Sequence, residues 1–403
     1  MIHLFINALA ASAGGGLTYV RNVVPLLCDR KDVQATVLLG ARLREELNKA
    51  ANVHLLAVEA PKGTAQRFWF EQSKLPVLIR ESNANVLLSV GNFALWNSPI
   101  PQILLSRNAL YTSTDFERDL RRRGDYRLWL DNVVKAAAAG MSIRKADVTV
   151  APSRSFAEEL RSWTGVTVET VYHGFNRAVF LSGANSLPPE IEERLAGLDG
   201  DLRLLFVSHY NYYRNFETLL RAIPILRALV APRNVRLILT CQLKSEANPG
   251  SYRAGDAATL VERLGIADNV VELGSVPYKA LHHLYARCSV YVTAAYAESF
   301  AHPLIEAMST GLPIVASDIA VHREICGDAA VYFDRFSPED LARTVVRLCQ
   351  LPDVMKGLSE AGRTRSRDFS WHDHLDGILV IASRLLARDT RGKIVSDARV
   401  LSK

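Results

Sequence analysis

Two glutamates, Glu298 and Glu306, stand eight positions apart in AESFAHPLIEAMSTGLPIVASD, with an aromatic, a histidine and a proline between them. Pro303 suits the first turn of a helix, where its missing N–H costs nothing. The spacing therefore predicts a helix over about Pro303–Thr310, stopped by Gly311. The backbone N–H groups of Phe300, Ala301 and His302 would then lie at its positive end, a place for a phosphate or a sugar hydroxyl. On spacing alone, the simpler account is that both carboxylates only complement the helix dipole. A diphosphate over the same helix end changes this. A carboxylate touching it would repel it, so glutamates kept there should face hydroxyl-rich parts of the same ligand. A nucleotide sugar offers hydroxyls on both sides of its diphosphate.

Two further loops carry residue types of the same kind. VSHYNYYRN places Ser208, His209 and Arg214 just after a β-branched run and before a helix that begins near Asn215. An arginine there can pair with a diphosphate. Standing alone, it reads as an exposed arginine on a helix start. Gly14, Gly15 and Gly16 follow the first apolar run. Glycines let a backbone approach a ligand closely. The run is neither GxGxxG nor a phosphate loop with a lysine, so a tight turn without a ligand explains it equally well.

These loops need elements to hold them. Short β-branched runs (VQATVLL, ANVLLSV, ADVTVAP, LRLLFVS, VRLILTC, SVYVTAA, PIVASD) alternate with helical stretches. Phe216, Leu219, Leu220, Ile223 and Leu226 mark one helix by their three- and four-residue steps. Alternation of this kind implies βαβ units and mainly parallel sheets. It breaks once, in GFNRAVFLSGANSLPPEIEERLAGLDGD, which reads as a linker. The expected fold class is α/β, with two doubly wound Rossmann-like domains facing one another. Residues 1–175 form the first and 201–368 the second, joined by 176–200. A helix over 369–388 returns to the first domain, and 389–403 is a loosely ordered polar tail. Ligands of such sheets bind outside the carboxyl ends of the strands.

Bulk properties agree with two soluble domains. The chain has 403 residues, 49% of them hydrophobic and 22% charged. One core rarely exceeds about 300 residues. The net charge of +6 fits an anionic ligand or membrane surface and is too weak to argue for nucleic acid. Five scattered cysteines without a CxxC pair read as free thiols in a reducing cytosol. The opening MIHLFINALAASAGGG has no Lys or Arg before its apolar run and is read as a first strand, not a signal peptide. The segment DFERDLRRRGDYRLWLDNVV holds five arginines, but Asp115, Glu117, Asp119 and Asp125 offset them. A solvated helix face is expected there, rather than an interfacial helix on anionic lipid.

ESFAHPLIEAMSTGLPIVASD resembles the E-x7-E signature of retaining GT-B glycosyltransferases of family four, also called group 1. ADVTVAPSRSFAEEL, VYHGFNRAVF, RLLFVSHYNYYRNFETLLRAIPIL, VPYKALHHLYARCSVYVTAAYAESF and VHREICGDAAVYFD extend the resemblance over Ala146–Phe333. It implies that Glu306 binds the donor ribose and that Glu298 lies by the transferred sugar. The turn through Phe300, Ala301, His302 and Leu304 would contact sugar and phosphate. Arg214 falls where the family usually has a lysine on the diphosphate, and His209 where it usually has an arginine. Ser208, Gly15 and Gly16 fall among donor contacts. Many members have a histidine near the reacting carbon; the corresponding loop LLSRNALY offers Arg107 and Asn108 instead. Glu298, Arg214 and Asn108 are thus the expected catalytic group.

The resemblance implies transfer of a hexose or deoxyhexose, with retention and without a metal, from a UDP-, GDP- or dTDP-linked donor. No cofactor is expected beyond the nucleotide sugar. The acceptor would be a glycan or a lipid-linked oligosaccharide in bacterial surface-polysaccharide assembly, such as lipopolysaccharide. The expected location is cytoplasmic, with peripheral contact at the inner membrane admitted. The alternatives on the same fold are a nucleotide-sugar epimerase, a glycoside phosphorylase or a non-catalytic nucleotide-binding protein.

Overall fold

The computed structural model describes residues 1–400 apart from 12, 13, 48, 49, 60, 62, 185, 249 and 251; of 14, 42 and 389–400 it describes the backbone alone. The chain divides into two compact units. The first comprises Met1–Thr112, Asp131–Gly174 and the chain from Ser370 onward; the second comprises Ser113–Leu130 and Phe175–Phe369.

The first unit holds β1 (Ile2–Asn7), β2 (Val33–Gly40), β3 (Val53–Val58), β4 (Val86–Ser89), β5 (Gln102–Leu105), β6 (Val148–Ala151) and β7 (Val168–Thr170). They form one sheet in the order β3-β2-β1-β4-β5-β6-β7, with every neighbouring pair parallel. Parallel strands need crossovers, so the sheet is covered on both faces. Helix Gly14–Cys28 and helix Trp371–Val400 seal one face, where Tyr19, Val23, Leu27, Leu375, Ile378 and Ala382 pack on Leu4, Ile6, Val37 and Val86. Helix Thr64–Ser82 seals part of the other through Leu75 and Ile79 against Phe5, Leu38 and Leu87.

The second unit holds β8 (Leu202–Phe206), β9 (Val235–Leu239), β10 (Val270–Glu272), β11 (Val290–Thr293), β12 (Ile314–Ser317) and β13 (Val331–Phe333). Their order is β10-β9-β8-β11-β12-β13, again parallel throughout. In each sheet the chain winds outward from a central strand in one direction, then in the other. The order reverses between β1 and β4 in one sheet and between β8 and β11 in the other. Each reversal leaves a crevice at the carboxyl ends of the two central strands.

The two parallel Rossmann-like units match the expected fold class, but four details differ. The expected linker 176–200 carries helices Arg177–Leu181 and Pro189–Leu195 and is part of the second unit. Its Gly and Pro content hid five core residues, Phe180, Leu187, Ile191, Leu195 and Leu198, all buried. The supposed polar tail continues the last helix to Val400. Gly14–Gly16 are not a loop but the first turn of a helix.

The fourth difference concerns the basic segment, which is no simple solvated face. Residues 113–130 join the second unit, where Phe116 and Leu120 of helix Thr114–Arg122 are buried. Asp119 accepts the Tyr296 hydroxyl at 3.0 Å and pairs with Arg122 and Arg123, both 3.0 Å away. Arg123 also pairs with Glu217 at 2.8 Å and lies over the Tyr212 ring. The Arg123 charge is spent inside the unit; Arg118, Arg121 and Arg122 remain exposed.

Within the first unit the chain closes on itself at a glycine. A Cβ on Gly174 would fall 2.1 Å from the Trp371 backbone nitrogen and 2.4 Å from its Cα, closer than atoms pack. Gly174→Ala should therefore push the last helix off its seat and cost about 2–3 kcal/mol, in the range for overpacked cores. Urea unfolding measures it: the midpoint should fall with the slope unchanged, and an unchanged midpoint would mean that the two backbones do not touch.

Candidate donor-site residues in the two units

The second unit gathers its chemistry at the β8/β11 reversal. The loop after β8 runs through a short 3-10 turn, Tyr212–Arg214, into Asn215, which adopts a left-handed conformation (φ 53°) and caps helix Phe216–Val230. The backbone N–H of Tyr296, in the loop after β11, donates to the Tyr213 carbonyl at 3.0 Å. That bond joins the two loops and brings Arg214 against Glu298, which form an ion pair. Their side chains are 17% and 9% exposed, so the pair is largely dry and the carboxylate neutralises the cation. The two residues that sequence singled out on separate loops are thus in contact.

Helix His302–Thr310 starts where the spacing placed it, and Gly311 stops it in the left-handed region (φ 78°). The residue before its first turn is Ala301, also left-handed (φ 61°, ψ 62°). A side chain there costs about 1–2 kcal/mol over glycine. Strained backbone held by its surroundings clusters at functional turns. Phe300 and Leu304 are buried and anchor the turn. His302 packs its ring edge on Phe300.

Glu306 lies on the buried side of this helix, 6% exposed. Its Oε2 accepts the hydroxyl proton of Tyr285 at 2.8 Å. Burial pushes its carboxyl up from the ordinary 4.5 to about 7, and the Tyr285 hydroxyl pulls partly the other way. A carboxylate kept out of water without a cation beside it works against stability. A shift of this kind from desolvation plus a specific partner makes Glu306 a candidate functional group.

His322 follows β12, in VHREIC. It is buried, and its Nδ1 lies 3.0 Å from the Ser317 carbonyl oxygen and 3.1 Å from the Ser317 hydroxyl. That hydroxyl donates to the Ala295 carbonyl. Burial drives the imidazole down to about 4, and Arg214 lowers it further, so the ring is neutral at pH 7. Ser208 donates its backbone N–H to Thr240 Oγ1 at 3.0 Å and its hydroxyl to the His209 carbonyl at 2.8 Å. His209 itself is exposed.

The first unit has its own cluster at the β1/β4 reversal. Arg107 donates to the Gly15 carbonyl at 2.9 Å and to the Val90 carbonyl at 2.5 Å, and its guanidinium lies 5.6 Å from the Tyr19 ring centre. A Cβ on Gly16 would meet Ala11 Cα at 3.1 Å, so the turn is built for glycine. Tyr19 lies 3.2 Å from Nε2 of His374, whose Nδ1 bonds the Tyr172 carbonyl at 2.8 Å. Asn108 caps the 3-10 turn Ala109–Tyr111 by accepting from Leu110 N–H at 3.1 Å. The sequence singled out Arg107 and the glycines but missed Tyr19 and His374, whose runs, LTYVRN and WHDHLDG, look like plain helix.

Known proteins resemble this chain in sequence and in fold. Residues 189–365 match the family model described as glycosyl transferases group 1. The D-inositol 3-phosphate glycosyltransferase of Thermobifida fusca is 27% identical over 242 residues, 58% of this chain and 54% of that protein. The O-antigen chain mannosyltransferase B of Escherichia coli is 30% identical over 114 residues, 28% of this chain and 30% of that protein. The chain thus spans about half, or less, of the length of the curated relatives it matches. Among solved structures, sucrose-phosphate synthase from Thermosynechococcus elongatus superposes with a TM-score of 0.74 at 14% identity, over 96% of this chain and 100% of that one. Anabaena Alr3699/HepE in complex with UDP-glucose gives 0.70 at 16% identity, over 95% and 100%. These likenesses show the fold class, GT-B with two Rossmann-like domains.

The raised Glu306 carboxyl has a measurable sign. Its folded value lies above its unfolded one, so its contribution to stability is complete below about pH 4.5 and is lost as pH rises through about 7. Glu306→Gln removes that loss. Relative to wild type, the variant should gain roughly 1–3 kcal/mol between pH 5 and pH 8, read as the difference of urea midpoints. A parallel pair of pH curves would mean that the carboxylate is hydrated.

Proposed function

We propose, for a chain whose residues 189–365 belong to glycosyl transferases group 1, that it moves a hexose or deoxyhexose from a nucleotide sugar to a glycan or lipid-linked acceptor, with retention and without a metal ion. The observation that carries this reading is the convergence of Arg214, Glu298 and the start of helix His302–Thr310 at one strand reversal, with Glu306 dry on the same helix. A relative named O-antigen chain mannosyltransferase B and another named serotype-specific mannosyltransferase support a role in surface-polysaccharide assembly. A neighbour solved with UDP-glucose supports a nucleotide-sugar donor.

In this reading, the leaving diphosphate gains charge as the sugar becomes oxocarbenium-like. Arg214 and the N–H groups at the start of helix His302–Thr310 stabilise that charge, a job for dipoles fixed in advance. The diphosphate competes for Arg214 with Glu298, which moves its hydrogen bonds to the sugar hydroxyls and so positions the sugar rather than attacking it. The departing phosphate takes the acceptor proton on the same face. Glu306 receives the donor ribose. His322 stays neutral and adds no charge. Ser208 and His209 border the donor. Nucleotide sugars are cytoplasmic currency, so the reaction belongs on the cytoplasmic side of the membrane. Among the described residues no helix is long and apolar enough to cross one.

Incubation with UDP-, GDP- and dTDP-sugars, with and without EDTA, tests this through thermal shift and nucleotide release. A nucleotide should stabilise the protein, EDTA should leave turnover unchanged, and the product anomer, read by NMR, should match the donor. Glu306→Ala should weaken donor binding by about 1–3 kcal/mol, the range for hydrogen bonds to a charged group. Stabilisation with no turnover on any acceptor would leave a nucleotide-binding protein; no stabilisation at all would sink the donor site.

A further inference from the structure

Tyr285 is the last aromatic of helix Leu281–Ala286 and is fully buried. Its hydroxyl stands 2.8 Å from Glu306 Oε2 and 3.3 Å from the Pro303 carbonyl oxygen. A phenol has one proton to give, and the nearer, charged acceptor takes it. The ring cannot swing away. It stacks on Tyr291 of β11 at 5.9 Å and 23°, and Phe180 meets it edge-on at 6.0 Å and 76°. Tyr291 is part of the sheet itself, so the hydroxyl is referenced to the most rigid element of the unit. The same residue therefore touches the carbonyl of the helix's first turn and the carboxylate one turn further on.

A carboxylate has two oxygens. With Oε2 committed to Tyr285, the rotation of the group is set, and Oε1 is the oxygen presented to a ligand. A single fixed acceptor suits a pair of adjacent hydroxyls that share it. A ribose has such a pair, and a 2′-deoxyribose does not. A deoxyribose would leave a desolvated anion short of a donor, and sites built to bond a hydroxyl reject analogues that lack it.

Resting on the reading that Glu306 meets the donor ribose, we propose that Tyr285 is a positioning residue that orients Glu306 and makes the site selective for ribonucleoside diphosphates over their 2′-deoxy counterparts. Of the donors considered, this selects UDP- or GDP-linked sugars and disfavours dTDP-linked ones. The phenol also favours the ionised carboxyl: burial pushes it up, and the Tyr285 hydroxyl pulls it back toward its ordinary value.

The test is calorimetric binding of UDP, 2′-deoxy-UDP, GDP and 2′-deoxy-GDP to the full chain at pH 8. Wild type should prefer the ribo form of its own base by roughly 10- to 100-fold, the worth of hydrogen bonds to a charged acceptor. Tyr285→Phe should lower that ratio to about 3-fold by weakening the ribo form alone, with the deoxy form unchanged. Tyr291→Phe, which removes a buried hydroxyl that does not bond Glu306, should lower thermal stability and keep the ratio. In a Glu306→Ala background, Tyr285→Phe should have no further effect on the ratio. If Tyr285→Phe folds poorly, Phe180→Leu loosens the same ring and should give an intermediate ratio. Wild type that binds nucleotides with no ribo preference would overturn the ribose reading of Glu306. Wild type that discriminates, with Tyr285→Phe or Phe180→Leu retaining the full ratio, would overturn the role of Tyr285 and leave that reading standing. A uniform weakening of both forms in Tyr285→Phe would likewise reduce Tyr285 to packing.

Discussion

Everything that could do chemistry in this chain depends on a constraint of strand geometry. Parallel strands joined by right-handed crossovers can be wound outward from a centre in only two directions. Where the direction changes, two neighbouring strands send their crossovers to opposite faces of the sheet, and a crevice opens beside their loops that no crossover fills. In the second unit those strands are β8 and β11, and their loops deliver Arg214 and Glu298. In the first they are β1 and β4, and the loops there are pressed so closely that a Cβ on Gly91 would lie 2.9 Å from Ala10 Cβ. Arg107 then ties the start of helix Gly14–Cys28 to the carbonyl of Val90.

The electrostatics at the second reversal run against stability. An arginine and a glutamate are dried together, a second glutamate is buried against a phenol, and a histidine is held neutral beside them. Buried ion pairs seldom stabilise a fold relative to apolar packing of the same size. A left-handed alanine adds backbone strain at the same turn. The remainder of the unit offsets this with ordinary means. Apolar strands are buried on both faces, and the Asp119, Arg123 and Glu217 network has its charges matched. Concentration of unfavourable terms in one turn, with a conventional core around it, is the pattern of a site and not of a scaffold.

The legibility of the chain in its sequence followed the range of each interaction. Helix His302–Thr310 was readable to within a residue because its signals, Pro303 and Gly311, are local. The parallel sheets were readable because alternation of β-branched runs with helical ones is a property of neighbours. The ion pair of Arg214 with Glu298 was not. Each residue was singled out, but their contact arises from a backbone bond between Tyr296 and Tyr213, 83 positions apart. Tyr285 was invisible for a similar reason. In HHLYARCSVYV a tyrosine reads as core, and so it is; only the fold reveals that its hydroxyl ends on a carboxylate. The segment 176–200 misled in the opposite way. Gly and Pro are local signals of irregular chain, and they outweighed five scattered apolar residues that the fold buries.

The seat of Trp371 against Gly174 bears on the order in which the protein can be completed. The face of the first sheet that carries Leu4, Ile6 and Val37 is closed partly by Leu375, Ile378 and Ala382, which follow the whole of the second unit in the chain. A ribosome therefore releases the second unit finished while the first still shows an uncovered apolar face. Domains otherwise tend to fold in the order they are made. Here the nascent first unit must wait for the better part of the chain to be synthesised, holding open a strip of valines and leucines to which chaperones and aggregation have equal access.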